Sequence, residues 1–284
     1  KKEDDFTQYL FLATTHNYIL FFTNNGQVYT LRGYQIPEAS RQAKGTAIIN
    51  LLQLSPGERI TAVINTMEFT EGQYLFMATN KGTVKRTKLT EFASVRKNGL
   101  RAIVLNDNEE LISVKLTHGN SNILMATRGG MAIHFSEQDV RVMGRVAHGV
   151  RGINLNVQDA VVAMDAIYDL ESEVLTVTEN GSGKRTKLSE YTKQIRGGKG
   201  RINYKLTEKT GLVAGMTIVK PNDELYIITA SGIIIRTNVD ELSTISRNTQ
   251  GVKAISLNEG DVVTAIATVE AEENVVKDTE TVSE

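Results

Sequence analysis

Residues able to do covalent chemistry are few in this sequence and poorly spaced for it. The four histidines, His16, His118, His134 and His148, are scattered, and no two stand at metal-ligand spacing. There is no cysteine, which removes thiolate ligands, disulfides and Cys nucleophiles and fits a reducing cytoplasm. Gly181-Ser182-Gly183-Lys184 has the ending of a phosphate loop, but Thr178 stands where that loop needs its first glycine. Arg185 likewise replaces the Ser or Thr that would follow the lysine, so a repeat turn explains the segment better. No G-x-S-x-G elbow occurs. The expectation is a non-enzymatic chain with no metal and no cofactor.

The cations, by contrast, are ordered. One set follows a glycine turn: Lys85 and Arg86, Lys184 and Arg185, and Arg236, with His134 in the place of the arginine as a weak basic substitute. A second set precedes a later glycine: Arg41 and Lys44, Arg96 and Lys97, Arg145, Arg196 and Lys199, and Arg247. Cations recurring at one height and radius of a radial array form a stripe on its rim. Such a stripe is a counter-surface for duplex DNA, whose charges fall about every 1.7 Å of axis, and its contacts would go to phosphates and ignore base sequence. Aromatic content of 6% with no Trp gives little to stack on unpaired bases, which favours duplex over single strands. The same cations also fit two structural roles. They could be solvated strand edges that prevent edge pairing, or the arginines could be structural, paired with a repeat-fixed acid.

The elements that must carry these residues come from an internal repeat. The turns Asn24-Asn25-Gly26, Asn80-Lys81-Gly82, Arg128-Gly129-Gly130, Glu179-Asn180-Gly181 and Ala230-Ser231-Gly232 place their glycines 56, 48, 51 and 51 residues apart. A second glycine (Gly45, Gly99, Gly149, Gly200, Gly251) follows 19, 17, 19, 19 and 19 residues later. Glu91, Asp139, Glu190 and Glu241 hold a fixed place between them, and Thr23, Thr79, Thr127, Thr178 and Thr229 end the run into each turn. In the fourth repeat, residues 173–178, 181–188, 201–206 and 212–219 read as four short strands. Four-stranded units at this period predict an all-β, propeller-like wheel.

The complete repeats span about 15–67, 72–117, 121–168, 172–220 and 223–269, within one domain over residues 1–269. Glu3-Asp4-Asp5-Phe6 aligns with Glu259-Gly260-Asp261-Val262, so residues 1–14 read as the last strand of an incomplete first blade. With Lys1 at the start, the expectation is a piece of something longer. Net charge is −1, yet residues 270–284 hold six acids and Lys277, which leaves a body of +4 and an acidic tail expected to be disordered. That tail, close to Arg247 and Lys253, is also a candidate autoinhibitory segment. No apolar run approaches the roughly 20 residues of a membrane helix.

Several segments resemble one family, the C-terminal domain of the bacterial DNA gyrase A subunit, over essentially the whole of residues 1–269. They are Thr15-His16 with Phe21-Phe22-Thr23-Asn24, Ile36-Pro37-Glu38-Ala39-Ser40-Arg41, Glu179-Asn180-Gly181 with Gly183-Lys184-Arg185-Thr186, Gly149-Val150-Arg151-Gly152, and Asn248-Thr249-Gln250-Gly251-Val252. The resemblance implies a six-bladed β-pinwheel whose blades exchange strands and whose perimeter wraps double-stranded DNA in support of negative supercoiling. It implies as partners the rest of the gyrase A subunit together with the gyrase B subunit, in a cytoplasmic, nucleoid-associated setting, with the isolated domain monomeric. The family's hallmark box, Gln-Arg-Arg-Gly-Gly-(Lys/Arg)-Gly, is met only by an echo, Gln194-Ile195-Arg196-Gly197-Gly198-Lys199-Gly200, in the fourth complete repeat with Ile195 for an arginine. The true box is expected upstream of Lys1, so the chain is expected to bind DNA yet wrap it poorly. The corresponding domain of topoisomerase IV, a protein-interaction propeller and an enzymatic propeller with a polar channel are the competing readings.

Overall fold

A computed structural model describes residues 14–40, 43, 46, 47 and 50–271. The first complete repeat supplies β1 (Tyr18–Thr23), β2 (Gln27–Arg32) and β3 (Ile60–Thr66), and the second supplies β4 (Tyr74–Thr79), β5 (Thr83–Lys88), β6 (Leu100–Arg101) and β7 (Leu111–Thr117). The third contributes β8 (Asn122–Thr127), β9 (Met131–Ser136), β10 (Val150–Arg151) and β11 (Val161–Ile167). The fourth contributes β12 (Glu173–Thr178), β13 (Ser182–Lys187), β14 (Arg201–Ile202) and β15 (Val213–Val219). The fifth gives β16 (Glu224–Thr229), β17 (Ile234–Asn238), β18 (Val252–Lys253) and β19 (Val263–Val269).

These strands form five antiparallel sheets. Four are four-stranded, in the orders β3-β1-β2-β6, β7-β4-β5-β10, β11-β8-β9-β14 and β15-β12-β13-β18, and the fifth is β19-β16-β17. The strands that open each order touch one another in succession, β3 to β7 to β11 to β15 to β19, so they line the axis of a propeller. The expected run at residues 201–206 shortens to the two residues of β14, which pair with β9 of the preceding blade at Arg201↔Ala132 and Ile202↔Met131. Each four-stranded blade therefore takes its outermost strand from the next repeat. Five blades stand among the described residues where six were expected, and residues 1–13, in which the sequence places the last strand of an incomplete first blade, lie outside them. The tail beyond residue 271 lies outside them as well.

The apolar runs are continuous rather than alternating because both faces of a blade are covered by its neighbours. Ile19, Leu20, Phe21 and Phe22 of β1 are all buried, and the cores sit between blades. Phe22 meets Phe92 edge-on at 5.9 Å between centroids, and Phe76 meets Phe135 at 6.1 Å. The repeat-fixed threonines close the hairpins: Thr127 Oγ1 accepts the N–H of Met131 at 3.1 Å and Thr178 Oγ1 that of Ser182 at 3.2 Å.

The turn glycine is fixed by strand exchange as much as by its dihedral. Gly130 sits at φ +82°, and a Cβ there would lie 2.7 Å from the carbonyl oxygen of Tyr204, part of the exchanged segment. Gly130→Ala is expected to cost about 2–4 kcal/mol, from left-handed strain plus overpacking. Urea unfolding measures it, and an unchanged midpoint would remove the packing role assigned to this turn.

Candidate nucleic-acid interface

The turn-following cations are packed inside the blades. Lys85 and Lys184 are fully buried although each side chain ends in an amine. Lys85 Nζ donates to the carbonyls of Ala102, Gly144 and Arg145 at 2.5, 3.0 and 2.7 Å. Lys184 Nζ donates to the carbonyls of Ser246, Arg247 and Thr249 and lies 4.6 Å from the Tyr204 ring centroid. Burial pushes both amines down, Lys85 to about 7 and Lys184 to about 8. The carbonyls around each need an N–H donor in either protonation state. Lys184 is thus a clasp on the next repeat's loop, and Gly181-Ser182-Gly183-Lys184 is the hairpin turn and start of β13.

The neighbouring side chain repeats that clasp. Arg86 Nε donates to Val140 O at 2.9 Å, Arg185 Nε to Leu242 O at 2.8 Å, and His134 Nδ1 pairs with Tyr191 O at 2.7 Å. His134 is a substitute in geometry, while burial pushes its pKa down and away from a permanent charge. Arg86 also meets Glu137 at 3.6 Å, and Arg185 meets Glu173 and Asp240 at 3.5 and 3.3 Å. Arg236 departs from the pattern: its side chain is 65% exposed and pairs with Glu224 of its own blade.

The arginines before the second glycine act as latches between repeats. Arg145 Nη1 donates to Arg101 O at 3.3 Å, Arg196 Nη1 to Arg151 O at 3.0 Å, and Arg247 Nη1 to Ile202 O. The Nε atoms of two of them reach the repeat-fixed acids through the backbone, Arg196 to Asp139 O at 2.8 Å and Arg247 to Glu190 O at 3.1 Å. The structural pairing with the acid therefore exists, but it runs across blades: the guanidinium meets the acid's carbonyl, while the carboxylates of Asp139 and Glu190 accept the backbone N–H of Arg196 and Arg247. All three latches remain half-buried, whereas Arg96, Lys97 and Lys199 are exposed. Arg41 and Lys44 lie outside the described residues.

The latches grip a register position that lies just past the ones singled out by charge periodicity. Arg101, Arg151 and Lys253 occupy one register position on the outermost strand of their blades, opposite Gln27, Thr83 and Ser182. All three are exposed. In the third blade that position is Ile202, and Arg201 stands one residue earlier on the opposite face of the strand. The signal was a basic residue two positions after Gly99, Gly149 and Gly251. Since each latch arginine grips the carbonyl at this register position, Arg101, Arg145, Arg151, Arg196, Arg247 and Lys253 follow one another around the perimeter. Among the described residues no cluster of three metal-ligating side chains occurs, and no helix is long and apolar enough to cross a membrane.

The family model described as DNA gyrase C-terminal domain, beta-propeller, matches residues 17–67, 73–118, 121–167, 172–220 and 223–270. The chain belongs to the DNA gyrase C-terminal domain family. Those five segments coincide with the five repeats, each of which supplies the three inner strands of one blade. The DNA gyrase A subunit of Clostridium acetobutylicum is 50% identical over 284 residues, all of this chain and 34% of that protein. That of Haloquadratum walsbyi is 46% identical over 272 residues, 94% of this chain and 32% of that protein. The chain thus spans about a third of these relatives. Among solved structures, a C-terminal domain of DNA topoisomerase IV superposes with a TM-score of 0.83 at 26% identity, covering 91% of this chain and 81% of that one. A DNA gyrase A C-terminal domain gives 0.78, also at 26% identity, covering 90% and 83%.

Proposed function

We propose that the chain binds duplex DNA along its perimeter without regard to base sequence, bending it around the disc in support of negative supercoiling by a gyrase. The observation that carries this is the series Arg101, Arg151 and Lys253, exposed at one register position on the outermost strands of three blades. Exposed Arg96, Lys97 and Lys199 and the free faces of Arg145, Arg196 and Arg247 widen the band. Lys85, Arg86, Lys184 and Arg185 serve it by holding the loops that present these cations. Smooth bending of 20–30 base pairs costs roughly 1–6 kcal/mol, so contacts spread over several blades are what the task requires. The match to the gyrase C-terminal domain family and identities of 46–50% to gyrase A subunits favour the gyrase reading.

A sixth blade completes the disc in this reading. The outer edge of β17 has no fourth strand among the described residues, and Arg236 is exposed where its counterparts Arg86 and Arg185 are clasped. Strand cleavage, religation and ATP hydrolysis are assigned to other parts of a gyrase holoenzyme, in the cytoplasm. The test is duplex affinity against salt, together with the linking number of nicked circles ligated in the presence of the chain. Affinity falling by orders of magnitude between 50 and 200 mM salt is the result expected for about 6–10 phosphate contacts. A positive linking-number shift would read the handedness of bending. Absent or salt-independent binding would return the chain to the scaffold reading.

A further inference from the structure

One end of the disc has the opposite character to the rim. The axial strands β3, β7 and β11 finish there, at Thr66, Thr117 and Ile167. The segments leading on from β3 and β11 expose Met67, Tyr168 and Leu170 to 68%, 63% and 65%. Neighbouring blades brace this surface. The Tyr168 hydroxyl donates to Leu116 O of the adjacent blade, and its ring lies 6.0 Å from that of His118. Beneath it Lys115 Nζ approaches Asp165 Oδ1 at 3.7 Å, while Thr217 Oγ1 donates to Asp165 Oδ2 at 3.0 Å.

The connecting residues 67–73, 118–121 and 168–172 carry Glu68, Glu71, Asp169 and Glu171, all exposed, and no Lys or Arg, whereas exposed Lys220 stands in the next connection, after β15, and bounds the patch on that side. Lys88 and Lys187, which end β5 and β13, stand two strands further from the axis. Apolar side chains ringed by carboxylates repel a phosphate backbone. They complement a protein segment that offers apolar anchors flanked by Lys and Arg, as an amphipathic helix does at i, i+3 or i+4, and i+7. We infer that this end of the disc is a docking face for a basic amphipathic helix, distinct from the rim. One disc can then hold DNA on its perimeter and a protein on its face, and the docking stands whether or not the rim binds DNA.

The test titrates the isotope-labelled chain with a Leu/Lys amphipathic peptide, with a Leu/Glu peptide of the same pattern as control. Expected are saturable binding of the first peptide only and shifts centred on Met67, His118, Tyr168 and Leu170. The Met67→Ser/Leu170→Ser variant and the Glu71→Gln/Glu171→Gln variant are each expected to lose roughly tenfold in affinity. Thermal midpoints of both variants confirm that they remain folded. Shifts centred elsewhere, full affinity in both variants, or displacement of the peptide from this face by duplex DNA would each overturn the inference.

Discussion

Replacing Lys184 by Met is expected to damage the fold far more than replacing any exposed lysine. The side chain is fully buried, and its Nζ is a donor for the carbonyls of Ser246, Arg247 and Thr249. Methionine matches the length and apolar stem but supplies no N–H, so these carbonyls lose a partner in a site with little access for water. An unsatisfied buried polar group costs about 1–3 kcal/mol, and the three share one donor, so a loss of about 3 kcal/mol is expected. For a domain of this size that lowers the thermal midpoint by roughly 6–12 °C. Lys85→Met should act alike through Ala102, Gly144 and Arg145. Lys199→Ala, on an exposed side chain, should leave the midpoint within about 2 °C. Scanning calorimetry of the three variants decides the matter. A Lys184→Met protein that melts with the wild type would return this lysine to the surface.

That contrast marks what could be read in the sequence. The glycine turns, the threonines and the apolar runs gave the four-stranded blades, because each is a local demand: φ above zero at Gly130, a hairpin-closing hydroxyl at Thr178, a strand covered on both faces at residues 19–22. Charge periodicity carried less. Lys184 and Lys199 are both basic and both belong to the fourth repeat, yet one is enclosed by carbonyls from a loop more than 60 residues away and the other is in solvent. Nothing local separates them, since the enclosure is created by strand exchange. The same exchange brings Arg151 to an outer edge it shares with β5, where its own repeat would have left it in a connecting segment. Of the third expected strand of the fourth repeat, only Arg201–Ile202 remains, because only those two residues have a partner strand.

The outer-strand cations give the sharpest test of the interface. Arg101, Arg151 and Lys253 are exposed, so reversing all three to Glu should leave the fold intact, with each change costing no more than about 0.5 kcal/mol. If each neutralises one phosphate, the slope of log affinity against log salt should become shallower by roughly 2.7 from lost contacts alone. Affinity at moderate salt should then fall by about 100-fold or more, because the new carboxylates also repel the backbone. Lys220→Glu is the single-reversal control. It is exposed too, but it follows β15 at the axial end of the disc, away from the outer strands, and less than about a twofold change is expected. A triple variant with wild-type affinity and slope would exclude the outer strands as the path of DNA. A loss per reversed charge as large in Lys220→Glu as in the triple variant would instead point to net charge alone. A loss confined to the triple variant, with an unchanged melting curve, would fix the duplex on the strands that each repeat gives to its neighbour. Strand exchange would then be the device that joins blade packing to DNA contact: the latch arginines that grip Arg101, Arg151 and Ile202 through their carbonyls would set the spacing of the charges met by the duplex.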